Sequence, residues 1–339
     1  MSQIRTFKTF RDVLPLRGYR RELLFNNRTV GLVPTMGALH DGHLSLMRQA
    51  ASENSDVFVT IYVNPTQFGI NEDLSSYPRT WDTDIEQITK LDSELEQQGK
   101  GRISAIFAPT SKTMYPTLPP DSELPGKGSF VTITPLASLL EGASRPVFFR
   151  GVATVCMKLF NIVKPERVYF GQKDIQQTVI IKRMVKDFHI DTEVRVGPTS
   201  REEDGLAMSS RNVYLGKRRR TVAAVLSRAL RLAEAQFQQG KLSRGDILFP
   251  ANDLALNTQQ QQEALPPSQK ARFEVDYISL ADPDTLEEVE TVDEAKGAIL
   301  SGAIIMHPVE APQEGEDCGL GGGQGKVRLI DNIVLPGKA

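Results

Sequence analysis

The chain has 339 residues, 40% hydrophobic and 24% charged, the make-up expected of a soluble globular protein of about two domains. A formal net charge of -2 supplies no field that would draw it to nucleic acid or to an anionic membrane, and no run approaches the roughly 18 apolar residues needed to cross a bilayer. Two cysteines are too few for a disulfide framework, and residues 1–10 lack the apolar stretch of a secretory signal, so a reducing, cytoplasmic setting is expected.

In chain order, the runs TVGLVP (29–34) and VFVTIYV (57–63) predict buried strands, with a helix over 44–52 between them. Further strands are predicted at 103–107, 167–170 and 192–196, and helices at 152–163 and 175–188. This alternation predicts an α/β fold with a Rossmann-like, doubly wound parallel sheet. Ligands then belong beyond the carboxyl ends of strands, where the strand order reverses. A boundary is expected near Gly197, giving domains 1–197 and 198–339. The second contains a helix at 218–239 and strands at 273–280, 298–306 and 327–330, which predict a smaller α+β domain. Segments 250–268 and 308–325 read as surface loops or disorder, and the basic cluster Lys217-Arg218-Arg219-Arg220 as a solvated helix start.

Three clusters carry chemistry. In VPTMGALHDGHL (33–44), His40 and His43 stand three residues apart between a strand and a helix. Imidazole donates hydrogen bonds and can be cationic near neutral pH, so such a pair suits a triphosphate and the charge that grows during its cleavage. A structural turn or a metal site is the alternative. In FGQKDIQQ (170–177), Gly171 is expected to allow a turn, Lys173 offers a compact cation, and Asp174 could cap the helix, hold the lysine or reach a ribose hydroxyl. In GLAMSSRN (205–212), Ser209, Ser210 and Arg211 suit phosphate oxygens. Together these residues compose a cage for ATP, with Mg2+ expected on the phosphates. NPTQF (64–68) ends the second strand, so Gln67 is expected to face the same crevice, and Gln177 carries a similar amide one turn after Asp174.

The combination PTMGALHDGH, NPTQF, YPRT, FRGV, FGQKDIQQ and DGLAMSSRN resembles the pantothenate synthetase family, the pantoate and β-alanine ligases of the class I nucleotidyltransferase-like superfamily. The likeness runs in order over 29–215 and resumes at RLIDN (328–332). It implies a Rossmann-like domain, a smaller carboxy-terminal lid and a homodimer, with pantoate, β-alanine and ATP as small-molecule partners and with neither nucleic acid nor membrane. It also implies a two-step reaction: the pantoate carboxylate attacks the α-phosphate of MgATP to give enzyme-bound pantoyl adenylate and pyrophosphate, and the β-alanine amine then displaces AMP. By the same resemblance, Met36, Gly37, Ala38, Leu39, His40, Asp41, Gly42 and His43 form the first ATP-binding segment. His43 stands in the proton-donor place, with His40 and Lys173 as the other catalytic groups. Gly171, Gln172, Lys173, Asp174, Ser200, Met208, Ser209, Ser210 and Arg211 would hold the nucleotide. Gln67 and Gln177 would grip pantoate, while Gln67, Asn64 and Asp84 would meet β-alanine, Asp84 serving its ammonium or the metal. Two departures stand out: Gln172 where the family often has Glu, and Phe148 where the bacterial pattern has His.

Overall fold

Strands and helices alternate through the amino-terminal half as β1 (Lys8–Phe10), α1 (Val13–Phe25), β2 (Val30–Thr35), α2 (Asp41–Glu53), β3 (Asp56–Ile61), α3 (Trp81–Gln97) and β4 (Arg102–Phe107). The chain continues through the single turns α4 (Ser111–Met114) and α5 (Glu141–Ser144), then α6 (Phe148–Val163), β5 (Arg167–Gly171), α7 (Ile175–Asp187) and β6 (Glu193–Gly197). This computed structural model describes residues 7–70, 72, 74–117, 119 and 126–338, in two units, Met1–Pro198 and Thr199–Ala339.

The six strands of the first unit form one parallel sheet in the order β1-β4-β3-β2-β5-β6. Strands buried on both faces become continuous apolar runs, and Val57 and Val59 of β3 and Ile103 and Ile106 of β4 pack with Met47 and Ala50 of α2 and Ile88, Leu91 and Leu95 of α3. The order reverses between β2 and β5, which pair through Gly31 with Arg167 and Leu32 with Val168. The expected doubly wound sheet is therefore present, and its ligand crevice belongs behind these two strands. β1, α1 and α3 go beyond the predicted elements, and α2 starts three residues early, which puts His43 in its first turn.

The second unit contains α8 (Gly216–Ala223), α9 (Val225–Gln238), α10 (Arg244–Glu263) and an antiparallel sheet of β7 (Phe273–Ala281), β8 (Gly297–Met306) and β9 (Val327–Pro336). Leu226, Ala229, Leu230 and Ala233 of α9 pack with Leu300 and Ile304 of β8 and Leu329 of β9. Three expectations are corrected here. The loop expected over 250–268 is helical to Glu263, because Leu248, Ala251, Ala255 and Thr258 are buried at helical spacing despite Pro250 and the glutamine run. The predicted helix over 218–239 is two helices meeting at Ala224.

The basic cluster is not a solvated face. Arg219 is 1% exposed and donates to the carbonyls of Tyr214, Leu215, His307, Cys318 and Gly325. Arg218 pairs with both oxygens of Glu316 and donates to the carbonyls of Glu310 and Pro267, while Arg220 pairs with Glu202 and Asp204. Segment 308–325 has no regular element among the described residues, as expected of a surface loop, and these arginines pin both of its ends. Gly319 serves close packing: a Cβ there would stand 2.5 Å from the Tyr214 carbonyl oxygen.

Candidate active site

The turn that follows β2 is built before any ligand is considered. Pro34 has no N–H for the ladder, and at the next residue side chains take over the pairing: Thr35 N–H donates to Thr60 Oγ1 at 3.1 Å, and Thr35 Oγ1 to the Thr60 carbonyl at 2.6 Å. Gly37 and Ala38 then adopt φ of +83° and +50°, the left-handed region that glycine tolerates best. Asp84 of α3 holds this strained turn. It is 1% exposed; Oδ2 accepts from Ala38 N–H at 3.0 Å, and Oδ1 accepts from Leu39 N–H at 2.9 Å and from the Thr80 hydroxyl at 3.1 Å. The Asp84 carboxylate, expected to meet β-alanine or the metal, is buried and engaged by the turn, and Thr80 of the YPRT motif helps hold it. The amides of Ala38 and Leu39 are likewise engaged by Asp84, so they are not the phosphate donors of this segment.

Past the turn, His40 is the N-cap of α2, and its carbonyl accepts from the His43 and Leu44 amides at 2.8 and 3.1 Å. That geometry brings the two imidazoles together, ring centroids 4.1 Å apart and tilted by 35°. Burial pushes the His43 pKa down to about 3, and the positive potentials of His40 and Lys173 push the same way. Lys173, which follows β5, thus acts electrostatically on an imidazole that follows β2. The buried His43 Nδ1 has no hydrogen-bond partner among the described residues.

Behind β5, a 3-10 turn (Gln172–Asp174) leads into α7, and Lys173 Nζ lies 3.4 Å from Asp174 Oδ1. Gly171 is extended, with φ -81° and ψ 137°, and a Cβ there would meet nothing within 4 Å. The turn itself does not require glycine, which corrects that expectation. Gln177 is half-buried on α7; its neighbour Gln176 is buried and structural, donating to the carbonyls of Leu136 and Leu139 at 2.9 and 2.7 Å and accepting from the Glu141 amide at 3.0 Å.

Behind β3, a 3-10 turn (Pro65–Gln67) carries Gln67, whose Nε2 donates to Met36 Sδ at 3.2 Å. Asn64, 1% exposed, uses all of its hydrogen-bonding capacity internally. Its Nδ2 donates to Gln67 Oε1 and the Gly151 carbonyl, and its Oδ1 accepts from Thr66 and Tyr115 hydroxyls. Direct β-alanine binding by Asn64 is therefore corrected to support of Gln67. The FRGV motif gains a physical reason here, because a Cβ on Gly151 would stand 2.4 Å from Thr66 O and 2.5 Å from Gln67 N. Gly151→Ala is expected to displace this turn and, with the pantoate that the family resemblance places at Gln67, to raise the KM for it more than tenfold; an unchanged KM in initial-rate assays would show that the close approach is dispensable. Phe148, the departure from the bacterial pattern, lies under the Arg145 guanidinium at 3.8 Å, and Arg145 grips Glu72 with two hydrogen bonds of 3.0 and 2.5 Å.

Ser200 and Met208–Arg211 lie in the second unit. The Met208 amide donates to the Ser200 carbonyl at 2.9 Å, and Ser209 Oγ accepts from the Arg211 amide at 3.2 Å, starting a 3-10 turn (Ser210–Tyr214). Arg201 binds both oxygens of Asp331 at 2.6 and 2.9 Å, the Ser227 hydroxyl and the Gly205 carbonyl, each at 3.1 Å. The distant RLIDN motif thereby anchors the serine–arginine loop. Tyr115, Thr66, Arg201 and Asp331 are not among the residues predicted for the site, since ordinary polar residues in loops and strands carry no local signal of what they hold.

Two donor-bearing helix starts behind adjacent strands, placed where a parallel sheet reverses its order, define a nucleotide-using α/β enzyme. Comparison with known proteins makes this specific. A family model described as pantoate-beta-alanine ligase matches residues 5–334. Pantothenate synthetase of Roseiflexus castenholzii is 44% identical over 306 residues, covering 90% of this chain and 92% of that relative. A crystal structure of pantothenate synthetase from Thermus thermophilus aligns with a TM-score of 0.74 at 35% identity, covering 96% of this chain and 99% of the other. A pantoate-beta-alanine ligase from Francisella tularensis, complexed with beta-gamma ATP and beta-alanine, aligns with a TM-score of 0.67 at 29% identity over 97% of this chain and 98% of its own. The chain belongs to the pantoate-beta-alanine ligase family.

Proposed function

We propose that His43, His40 and Lys173 carry the first half of an ATP-dependent condensation of (R)-pantoate with β-alanine. The reaction is that of the family: it yields pantothenate, AMP and pyrophosphate and serves pantothenate and coenzyme A biosynthesis. A pantoate carboxylate oxygen bonds to the α-phosphorus as the bond to the pyrophosphate oxygen breaks, leaving pantoyl adenylate on the enzyme. The β-alanine amine then attacks the acyl carbon, and AMP departs.

The observation that carries this reading is the electrostatic coupling of His43 with His40 and Lys173 across the reversal of strand order. A polyanion bound there opposes the positive potential that depresses the His43 pKa, so the ring becomes a better donor as charge grows on departing pyrophosphate. Lys173 supplies a fixed cation to the same charge. Met36–His43, Gly171–Asp174, Ser200 and Met208–Arg211 are assigned to the nucleotide, with the contact at Ala38 and Leu39 made by atoms other than their amide N–H groups. The open space at Gly171 favours close approach of a ligand to the backbone. Gln67 and Gln177 are assigned to pantoate, and Gln67 also to the β-alanine side.

No cluster of three or more His, Cys, Asp or Glu side chains able to hold a metal occurs among the described residues. Mg2+ is accordingly assigned to the ATP phosphates, where it would neutralise phosphate charge. An acyl adenylate hydrolyses readily, so we assign to residues 198–339 a lid function that limits water access. A cytoplasmic homodimer acting on small molecules completes the proposal; among the described residues no helix is long and apolar enough to cross a membrane.

The reading predicts that pyrophosphate release requires pantoate and that AMP release further requires β-alanine. Following both products while each substrate is omitted in turn tests it. ATP cleavage that proceeds equally well without pantoate would overturn the adenylation assignment, and formation of a stable nucleotidyl product with no amide would favour a nucleotidyltransferase instead.

A further inference from the structure

We infer that Tyr115 is a positioning residue for the acid-substrate site, setting through Asn64 which end of the Gln67 amide faces the ligand. The inference rests on the assignment of Gln67 to pantoate. It begins from a group whose role is unambiguous: the Gly151 carbonyl can only accept, and Asn64 Nδ2 stands 3.2 Å from it. The Asn64 amide nitrogen is thus fixed on that side, which leaves Oδ1 facing Tyr115 OH at 2.7 Å and Thr66 Oγ1 at 3.1 Å. These two hydroxyls also lie 2.9 Å from each other.

The same constraint passes one residue further. Asn64 Nδ2 has a second N–H, and Gln67 Oε1 takes it at 3.0 Å. The carbonyl end of Gln67 is therefore turned toward Asn64, and its NH2 end toward Met36 Sδ, 3.2 Å away. Gln67 presents an N–H donor to the ligand side and meets an acceptor oxygen of the hydroxy acid, which matches a carboxylate better than an amide carbonyl would. Tyr115 lies at the end of α4 with the Lys158 ammonium 4.9 Å over its ring, and it supplies the shorter of the two bonds on Asn64 Oδ1. Without that hydroxyl the Asn64 amide loses its stronger restraint, and Gln67 samples the orientation that presents oxygen to oxygen.

The test is Tyr115→Phe in the full-length enzyme, with pyrophosphate release measured against pantoate, ATP and β-alanine in turn, alongside Gln67→Ala and the double variant. We expect the Tyr115→Phe change to raise the pantoate KM about fivefold and leave the ATP KM within twofold. The double variant should be no worse than Gln67→Ala alone. A role confined to stability would lower the melting temperature and leave the pantoate KM at its wild-type value. An unchanged pantoate KM in Tyr115→Phe with a raised one in Gln67→Ala would overturn the relay, as would effects that multiply in the double variant. An unchanged pantoate KM in Gln67→Ala would instead remove the underlying assignment, and the relay with it. If Tyr115→Phe fails to fold, Thr66→Val and Thr66→Ser carry the test: valine should raise the pantoate KM and serine restore it, and equal values for the two would overturn the relay.

Discussion

Replacing His43 with alanine is expected to slow pantoate-dependent pyrophosphate release at least about 100-fold, equivalent to about 2.7 kcal/mol of transition-state stabilisation, with the fold retained. The imidazole lies in the first turn of α2 beside His40, where burial, then His40, then Lys173 hold its pKa down at about 3. It is neutral at pH 7 in the free enzyme and gains donor strength when a polyanion arrives. The sign of the linked stability effect follows from the direction of the shift. The folded protein binds fewer protons at His43 than the unfolded chain between about pH 3 and the unfolded value near 6.5, so stability rises with pH across that window and falls on acidification. Urea unfolding of wild type and His43→Ala from pH 4 to 7 should show the flatter profile in the variant. Near-normal turnover in His43→Ala would remove this residue from the mechanism, and parallel pH profiles would show that its charge is not suppressed by folding.

Arg219→Leu is expected to cost about 3 kcal/mol or more, the largest stability effect of any single substitution considered, although the residue belongs to no catalytic cluster. Its guanidinium is buried, faces carbonyl oxygens contributed by both ends of segment 307–325 and by the start of α8, and keeps its charge although burial pulls its pKa down. Leucine leaves those acceptors unsatisfied in an interior where water reaches them poorly. Lysine should rescue only part of the loss, since one ammonium lacks the planar fork that reaches several carbonyls at once. Urea unfolding reports the size of the effect, and limited proteolysis should find new cuts between residues 308 and 325. A leucine variant of wild-type stability, uncut in that segment, would show that the loop is held by other contacts.

What was legible in the sequence differs by kind of signal. The strand runs and the motifs behind β2, β3 and β5 are local, so the parallel sheet could be read directly. The helix through Pro250 could not, because proline and glutamine outweigh a modest stripe of Leu248, Ala251 and Ala255 until α9 and β7 are there to cover it. Arg218 and Arg219 look like a solvated charge run, and only the return of a loop distant in sequence makes them interior anchors. Asn64 and Asp84 show the same limit within the site. Residue type says that an amide or carboxylate can bind a ligand; whether its oxygens and hydrogens are already engaged depends on Tyr115, Gly151, Ala38 and Leu39, which no spacing rule connects.

The carboxylate of Asp84 clasping the amides of Ala38 and Leu39 has a genetic consequence. Where backbone amides cradle a phosphate, most codons in the loop can drift, because every residue but proline carries the donor. Here the turn brings its own internal anion, and the proposed function gives recognition of the external one to the imidazoles of His40 and His43. A single base change in either codon can remove a contact outright, so variants that lose activity while keeping stability should concentrate at these two codons. At Gly37 and Ala38, which make the bend at positive φ, variants should lose stability as well.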